Sequence, residues 1–467
     1  MGFSQNNSKK AHFLGICEGN MTQQVIEQTY GRFISKTTSS ILTNPLVQLL
    51  YYLTIFSIPY YRWRTLTVQY PFLKIDWILV FFLVLIVIPY FLLQKRFPET
   101  LKSNLWPWLL LFFVVNLISS CLSRYPAAAF DGIRILILSY MFIALNLTFI
   151  TAEGFRRIMP VVLGWSVAIG AFLSIIGYFF HITIFSVSLG LGFLGSRGYG
   201  PTIGANNMAL MCIFTLPLLV HWAFYGRTPL SKLIAFVLII VNVLGVVSTA
   251  SRGGFLSLII MSIFIFIEQS RRFNPRYLGI IIASFGFAFL IGLVILPEAY
   301  FERQQTITKG IKADVSFSRR AGYLKVGLDS FKKNPVLGTG TLTFKKGWAK
   351  SIMSRRFKME ERPPHNTYMD ILVGTGILGL IIFFLVLWRA FTNFSQGRKI
   401  FWDLGNIEMA SLVAAYRLSF MSVLLYFFVK SGIEHKFFLL ALPLSEVALR
   451  LARGEQKGID SEVPASH

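Results

Sequence analysis

Residues 232–268 read KLIAFVLIIVNVLGVVSTASRGGFLSLIIMSIFIFIE. Two long apolar runs are separated there by a few small and polar residues around Arg252. A helix that crosses a bilayer needs about 20 predominantly apolar residues, with a range of about 17–25. Because the second run follows the first almost at once, this stretch predicts two membrane-spanning helices joined by a tight hairpin.

Apolar runs of this kind recur along the chain. Candidate spans lie near 44–60, 76–94, 105–122, 131–150, 158–180, 205–224, 232–249, 254–268, 278–296, 368–389, 411–430 and 436–451. The fold class that follows is an all-α integral membrane protein with about 12 transmembrane helices and one long, partly helical loop.

Composition points the same way. Of 467 residues, 54% are hydrophobic and 14% are charged, whereas a soluble domain is about 45–50% apolar and about 25% charged. The net charge of +24 would suggest nucleic acid in a soluble protein. Here Lys and Arg cluster between the apolar runs, so we expect membrane lipids as partners and no nucleic acid.

The basic residues also predict an orientation. They concentrate in alternate connections, at 95–102, 156–157, 227–232, 271–276 and 389–399, and in the tail after 450. The positive-inside rule then places both termini in the cytoplasm. The predicted parts are a cytoplasmic tail 1–43, helices 1–9 in 44–296, a basic periplasmic loop 297–366, helices 10–12 in 367–452 and a cytoplasmic tail 453–467.

The long loop is rich in Lys and Arg although it faces outward in this topology. Loops of this length escape the positive-inside bias, so the charge needs another cause. Within the loop, residues 317–333 predict an amphipathic helix that ends at Asn334-Pro335. A long loop in a compact protein is usually functional or disordered.

Four outward-facing residues are candidates for chemistry: Arg197, Arg252, Arg320 and His365. Guanidinium groups bind phosphate bidentately and stay charged, so three arginines suit a pyrophosphate leaving group. His365 lies at the start of a predicted helix, where the helix dipole and nearby arginines favour a neutral imidazole that can accept a proton. The sequence shows no Asp-x-Asp motif and no His/Cys cluster, so we expect neither a metal nor a cofactor.

Each of these residues also has a simpler interpretation. Arg197 and Arg252 could reach lipid phosphates, Arg320 could be a solvated loop residue, and His365 could be a helix cap. The glycines after Arg252 could serve only the tight turn.

Several motifs together resemble those of the O-antigen ligase and polysaccharide polymerase superfamily. They are Arg197-x2-Gly200 with Asn206, Ser251-Arg252-Gly253, Arg320-x3-Leu324 leading to Asn334-Pro335-Val336-Leu337-Gly338-Thr339-Gly340, and His365-Asn366-Thr367-Tyr368 followed by Gly374-Thr375-Gly376-Ile377-Leu378-Gly379. The resemblance covers about residues 40–450. Many members have Trp where Leu324 stands and an acidic residue where Gly374 stands, which bears on the subfamily.

The resemblance implies an inverting, GT-C-type glycosyltransferase of the bacterial inner membrane. It implies a glycan donor on undecaprenyl pyrophosphate at the periplasmic face and a lipid, glycan or protein hydroxyl as acceptor. His365 would be the base, and Arg252, Arg320 and Arg197 would hold the pyrophosphate. Further candidates for substrate binding are Asn206, Arg319, Asn366 and Tyr368.

Two other functions remain open. A small-anion transporter of the bicarbonate type is the main alternative, although transporters tend to place ionisable residues at mid-membrane and the spans contain few. A non-catalytic scaffold in a polysaccharide assembly complex is the other. The sequence does not separate ligase from polymerase.

Overall fold

The computed structural model describes residues 42–60, 75–93, 101–180, 198, 200–202, 204–270, 315–357 and 359–462. Within these ranges every regular element is a helix, and six helices are long and apolar enough to cross a membrane. An all-helical membrane protein is therefore confirmed. The predicted ninth span, 278–296, lies outside the described residues, so the full span count and the topology stay predictions.

Thirteen α-helices are described. They are α1 Pro45–Phe56, α2 Ile75–Leu93, α3 Trp106–Cys121, α4 Pro126–Phe149, α5 Met159–Phe179, α6 Ala205–Tyr225, α7 Pro229–Ser248, α8 Arg252–Ser270, α9 Val315–Lys333, α10 Phe344–Ala349, α11 Thr367–Asp403, α12 Ile407–Tyr426 and α13 Lys436–Glu462. A π-helical turn, Gly154–Ile158, precedes α5, and a 3₁₀ segment, Ile352–Phe357, follows α10.

Capping residues mark several helix starts. The Asn44 side chain accepts a hydrogen bond from Leu46 N at the start of α1, and Thr228 forms a capping box with Ser231 at the start of α7. Asn366 caps α11 through a bond from Met369 N of 2.9 Å. These side chains satisfy backbone donors that the first helical turn leaves unpaired.

Helices α6 and α12 form the centre of the bundle. The buried share of the apolar window is 72% for α6 and 78% for α12, against 28% for α7. Phe214 of α6 meets Phe437 of α13 edge-on at 4.7 Å between ring centroids. The predicted sixth and eleventh spans are thus interior helices, whereas α7 keeps most of its side chains outside the core.

Two helices continue beyond the ends of the predicted spans. The tenth span was expected to end at 389, yet α11 continues to Asp403, so Arg389, Arg398 and Lys399 lie in a helix. The extension holds because Phe394 and Phe401, seven residues apart, are fully buried and because Arg398 pairs with Glu268 of α8 at 2.5 Å. The last helix likewise runs past 451 to Glu462.

Helix α11 is broken at Gly376, whose φ is 67°. The segment 334–341 fills the break with its own backbone. Ile377 N donates to Pro335 O at 2.9 Å, and Gly340 N donates to Gly374 O at 2.9 Å. Irregular backbone is tolerated at membrane depth where protein groups satisfy it, and here one loop does so.

The described part of the long loop has its own small core. Tyr323, Val326, Phe344, Trp348 and Val373 are buried together. Because Val373 belongs to α11, this cluster fixes α9 and α10 to the membrane bundle. The predicted helix over 317–333 is confirmed as α9, which begins two residues earlier, at Val315.

Candidate functional site

The candidate site lies at the end of the bundle where α8 and α11 begin and α12 ends. The segment 315–366 lies at this same end. The start of α11 is hydrogen-bonded there to the segment 427–431, which follows α12. Thr367 N donates to Phe427 O at 2.8 Å, and Thr367 Oγ1 donates to Lys430 O at 2.8 Å. The clamp fixes where α11 starts, and therefore where His365 stands.

Asn366 extends the clamp on its other side. Its backbone N–H donates to Ser431 Oγ at 3.2 Å, and the Ser431 hydroxyl also bonds the buried carboxyl of Asp370. The Asn366 side chain is occupied as the helix cap. The geometry thus gives this predicted binding residue a role in holding the chain beside His365.

His365 has a left-handed backbone, with φ of 52°. This region costs a residue with a side chain about 1–3 kcal/mol and is found mostly where surrounding structure enforces it, often at functional sites. The ring packs against Tyr323 with 5.9 Å between centroids. Among the described residues Nδ1 of His365 is buried without a hydrogen-bond partner, so packing and backbone geometry orient the imidazole.

Burial and positive charge both disfavour imidazolium at this position. Burial, followed by the charges of Lys430, Arg320, Arg319 and Arg362, lowers the pKa of His365 from 6.5 to about 4. At neutral pH the imidazole is therefore uncharged and has a lone pair. This agrees with the neutral imidazole predicted from the sequence, although burial is a larger cause than the arginines.

Arg319 and Arg320 of α9 serve different faces. The guanidinium of Arg319 lies over the Phe357 ring at 5.5 Å from its centroid, against the small core of the loop. Arg320 is exposed yet close enough to lower the pKa of His365. Of this pair, Arg320 is the more exposed.

Arg252 begins α8, in a turn that is held on two sides. Ser251 Oγ donates to Asn206 Oδ1 at 2.8 Å, which ties the turn to the start of α6. A Cβ on Gly253 would lie 3.3 Å from Val429 Cγ2, and one on Gly254 would lie 2.6 Å from Ala209 Cβ. The two glycines therefore permit close helix packing, and Asn206 positions the turn that carries Arg252.

Arg197 lies outside the described residues. Its chain neighbour Gly198 donates its N–H to Ser248 O at 2.9 Å, at the end of α7. Ser248 is four residues before Arg252. The chain next to Arg197 is thus fastened beside the turn of Arg252.

Tyr368 is not part of the cluster around His365. Its hydroxyl donates to Leu424 O at 2.9 Å, and its ring packs against Phe384 and Phe428 at 5.7 and 4.7 Å. The bond to Leu424 and the contact with Phe428 join α11 to the end of α12, and the contact with Phe384 joins the two parts of α11 on either side of Gly376. The geometry gives Tyr368 a packing role, and its contact with substrate stays a prediction.

Two basic residues near His365 were missed by sequence reasoning. Lys430 is the charge that contributes most to lowering the pKa of His365, and Arg362 contributes as well. Arg362 also pairs with Glu360. Lys430 lies in a short connection on the predicted outer side, so the criterion that selected Arg197 and Arg252 applies to it too.

The arrangement as a whole is a neutral imidazole beside a set of cations, with Arg252 brought to the same end through Val429. Such a site can accept a proton and stabilise a phosphate that gains negative charge. Across the ranges described above, no group of three or more His, Cys, Asp or Glu residues could hold a metal ion.

Comparison with known proteins finds a family to which part of the chain is similar. Residues 233–384 match the family model described as O-Antigen ligase. The match begins in α7 and ends in α11, so it includes Arg252, Arg320 and His365 but neither Asn206 nor Lys430. No curated protein sequence matches the chain at a significant level.

Proposed function

We propose, from the membership of residues 233–384 in the O-antigen ligase family, that this membrane protein transfers a glycan from undecaprenyl pyrophosphate to an acceptor hydroxyl. The acceptor is a lipid, a second glycan or a protein side chain, and the product is a surface polysaccharide. The proposal puts the protein in the bacterial inner membrane, with both termini cytoplasmic and the site at the periplasmic face.

The observation that carries the proposal is the neutral His365 surrounded by cations. In the proposed step the acceptor hydroxyl gives its proton to His365 while its oxygen bonds to the anomeric carbon. The bond from that carbon to the pyrophosphate oxygen breaks, and undecaprenyl pyrophosphate leaves with the electron pair. Attack from the side opposite the leaving group inverts the anomeric centre.

The cations act on the leaving group. Negative charge grows on the pyrophosphate as the bond breaks, and a preorganised donor aimed at such charge is worth about 10²–10³ in rate. Arg252 and Arg320 are proposed in this role, with Arg197 joining them. The chain supplies both the base and the charge stabilisation from its own side chains, which supports transfer without a metal.

The test in cells uses His365→Ala and Arg252→Ala. We expect both variants to accumulate in the membrane normally and to lose glycan attachment or elongation. Arg453→Ala is the matched control, since Arg453 is an exposed arginine of the C-terminal helix α13. Normal glycan products from both site variants would contradict the proposal.

The lipids and glycans of a deletion strain distinguish a ligase from a polymerase. A ligase acts on finished polymer, so its loss leaves lipid-linked polymer in the membrane. A polymerase acts on repeat units, so its loss leaves single lipid-linked repeats. A lipid and glycan profile distinguishes these outcomes.

The alternatives gain less support. The family match favours glycan transfer and gives no support to a small-anion transporter. The broken helix α11 is a feature that transporters share, yet backbone groups of 334–341 occupy the break. A non-catalytic scaffold in a polysaccharide assembly complex would keep its function in the His365 variant, which the cellular test also measures.

A further inference from the structure

Helix α9 carries an apolar stripe that faces away from the protein. Leu324 is 52% exposed and Leu328 is 41% exposed, and Val336 just after the helix is 58% exposed. The stripe is not a general property of α9, because Lys325 and Lys333 give the neighbouring outer surface a charged character, and exposed Lys332 follows Leu328 on the line of the stripe. Exposed apolar surface of this kind usually marks a binding or membrane-contact site.

The stripe begins at Arg320. Residues four apart lie on the same face of a helix, so Arg320, Leu324 and Leu328 follow one another along α9. The neighbouring face, three and seven residues on from Arg320, packs against the protein, since Tyr323 is buried and Gly327 packs against Met369 and Val373 of α11. The stripe therefore leads away from the proposed pyrophosphate site over about 12 Å of helix, at about 1.5 Å per residue.

The chain that follows the stripe is hydrogen-bonded to a candidate membrane span. Pro335 O and Val336 O accept hydrogen bonds from Ile377 N and Leu378 N at 2.9 and 3.4 Å. Ile377 and Leu378 belong to the candidate span α11 and are 42% and 39% exposed. Exposed apolar residues thus lie both on α9 and, through Val336, at the start of the candidate span, with Lys332 between Leu328 and Val336.

We infer that Leu324, Leu328 and Val336, continued by Ile377 and Leu378, hold the polyisoprenoid tail of the lipid-linked donor. This inference rests on the proposed function. A donor of that class has a diphosphate head and a long apolar tail, and the chain offers a cation followed by an apolar track in the same order. Arg320 lies beside His365, so the head bound at this end of the track would be the reacting one.

The direct test is photo-crosslinking, which does not require turnover. The intact protein in nanodiscs is labelled with a polyprenyl pyrophosphate that carries a diazirine in its first isoprene units. We expect crosslinks within 324–336 and 377–378, and we expect competition by unlabelled polyprenyl pyrophosphate. Crosslinks elsewhere, or equal labelling by a diazirine phosphatidylglycerol, would overturn the inference, the latter because bulk lipid would then occupy the stripe.

A kinetic test uses one glycan on two donors, undecaprenyl pyrophosphate and the short farnesyl pyrophosphate. Leu324→Gln and Leu328→Gln are expected to raise KM for the long donor about tenfold each, since each leucine loses apolar contact area, with kcat and the short donor unaffected. Ile352→Gln, at a residue of the same loop that is 78% exposed, is the control and should change neither. Equal loss on both donors would overturn the inference, whereas crosslinking at the stripe without any transfer by the wild type would contradict only the proposed function.

Discussion

The imidazole of His365 packs against the phenol ring of Tyr323, with 5.9 Å between the ring centroids. Tyr323 in turn meets the fully buried Trp348 edge-on at 4.5 Å. The candidate base therefore depends on the small core of the long loop, which lies outside the membrane spans. Folding of that loop and activity at His365 should be linked.

Tyr323 gives the first prediction. Tyr323→Ala removes a buried aromatic ring, a change that costs about 3–5 kcal/mol in a core, and should loosen α9 and lower the transfer rate at least tenfold. Tyr323→Phe keeps the ring contacts and should retain most of the rate. Limited proteolysis of 315–366 alongside the transfer assay checks whether folding of the loop and activity change together. A Tyr323→Ala variant with a normal transfer rate would contradict this prediction.

The pH dependence follows from the lowered pKa of His365. The base acts only when neutral, so activity is present above its pKa and is lost as pH falls through about 4. Lys430→Met removes a positive charge that lowers this pKa. The acid limb of the pH–rate profile should therefore move to higher pH in Lys430→Met and stay in place in Lys399→Met, at the far end of α11.

An acid limb near pH 6.5 in the wild type would contradict this prediction, because that is the ordinary pKa of histidine. So would a limb that is unmoved by Lys430→Met. Both profiles need kcat/KM, which reports groups of the free enzyme.

Ser431 is expected to position His365 through its hydrogen bond with the backbone N–H of Asn366. Ser431→Ala leaves the Asn366 N–H without its acceptor and removes the hydrogen bond to the Asp370 carboxyl, and each unsatisfied buried group costs about 1–3 kcal/mol. We expect kcat to fall about tenfold with KM unchanged, and Ser431→Thr to restore it. Ser330→Ala is the control, since that hydroxyl donates to Val326 O within its own helix; an equal effect of both alanine variants would count against a positioning role.

The break in α11 predicts a stability difference between two glycines. A Cβ on Gly376 would lie 2.2 Å from Val336 O, at a φ of 67°, whereas a Cβ on Gly347 meets nothing within 4 Å. Overpacking alone costs about 1–3 kcal/mol. Gly376→Ala should therefore lower the thermal unfolding temperature of the detergent-purified protein, and Gly347→Ala should leave it unchanged.

The membrane helices were predictable because span length and apolarity are local properties. The boundary at Asp403 was not, since it depends on the Arg398–Glu268 pair and on buried Phe394 and Phe401. Charged residues ended the apolar run at 389, and only tertiary packing shows that the helix continues.

The candidate site was likewise predictable only in part. Arg252, Arg320 and His365 were identifiable as polar residues on the predicted outer side. Their joint position depends on contacts far apart in sequence, such as Gly253 with Val429 and Thr367 with Lys430. Tyr368 has the same motif context as His365, yet its hydroxyl is taken by Leu424 O, which no local pattern indicates.

The central claim is that His365 is the base in glycan transfer. The most direct measurement is the initial rate of acceptor glycosylation, with release of undecaprenyl pyrophosphate, by purified protein in nanodiscs supplied with a lipid-linked glycan. The account predicts transfer by the wild type and a loss of about 10²–10⁴-fold in His365→Ala with unchanged thermal stability. A His365→Ala protein that transfers glycan at the wild-type rate would contradict it.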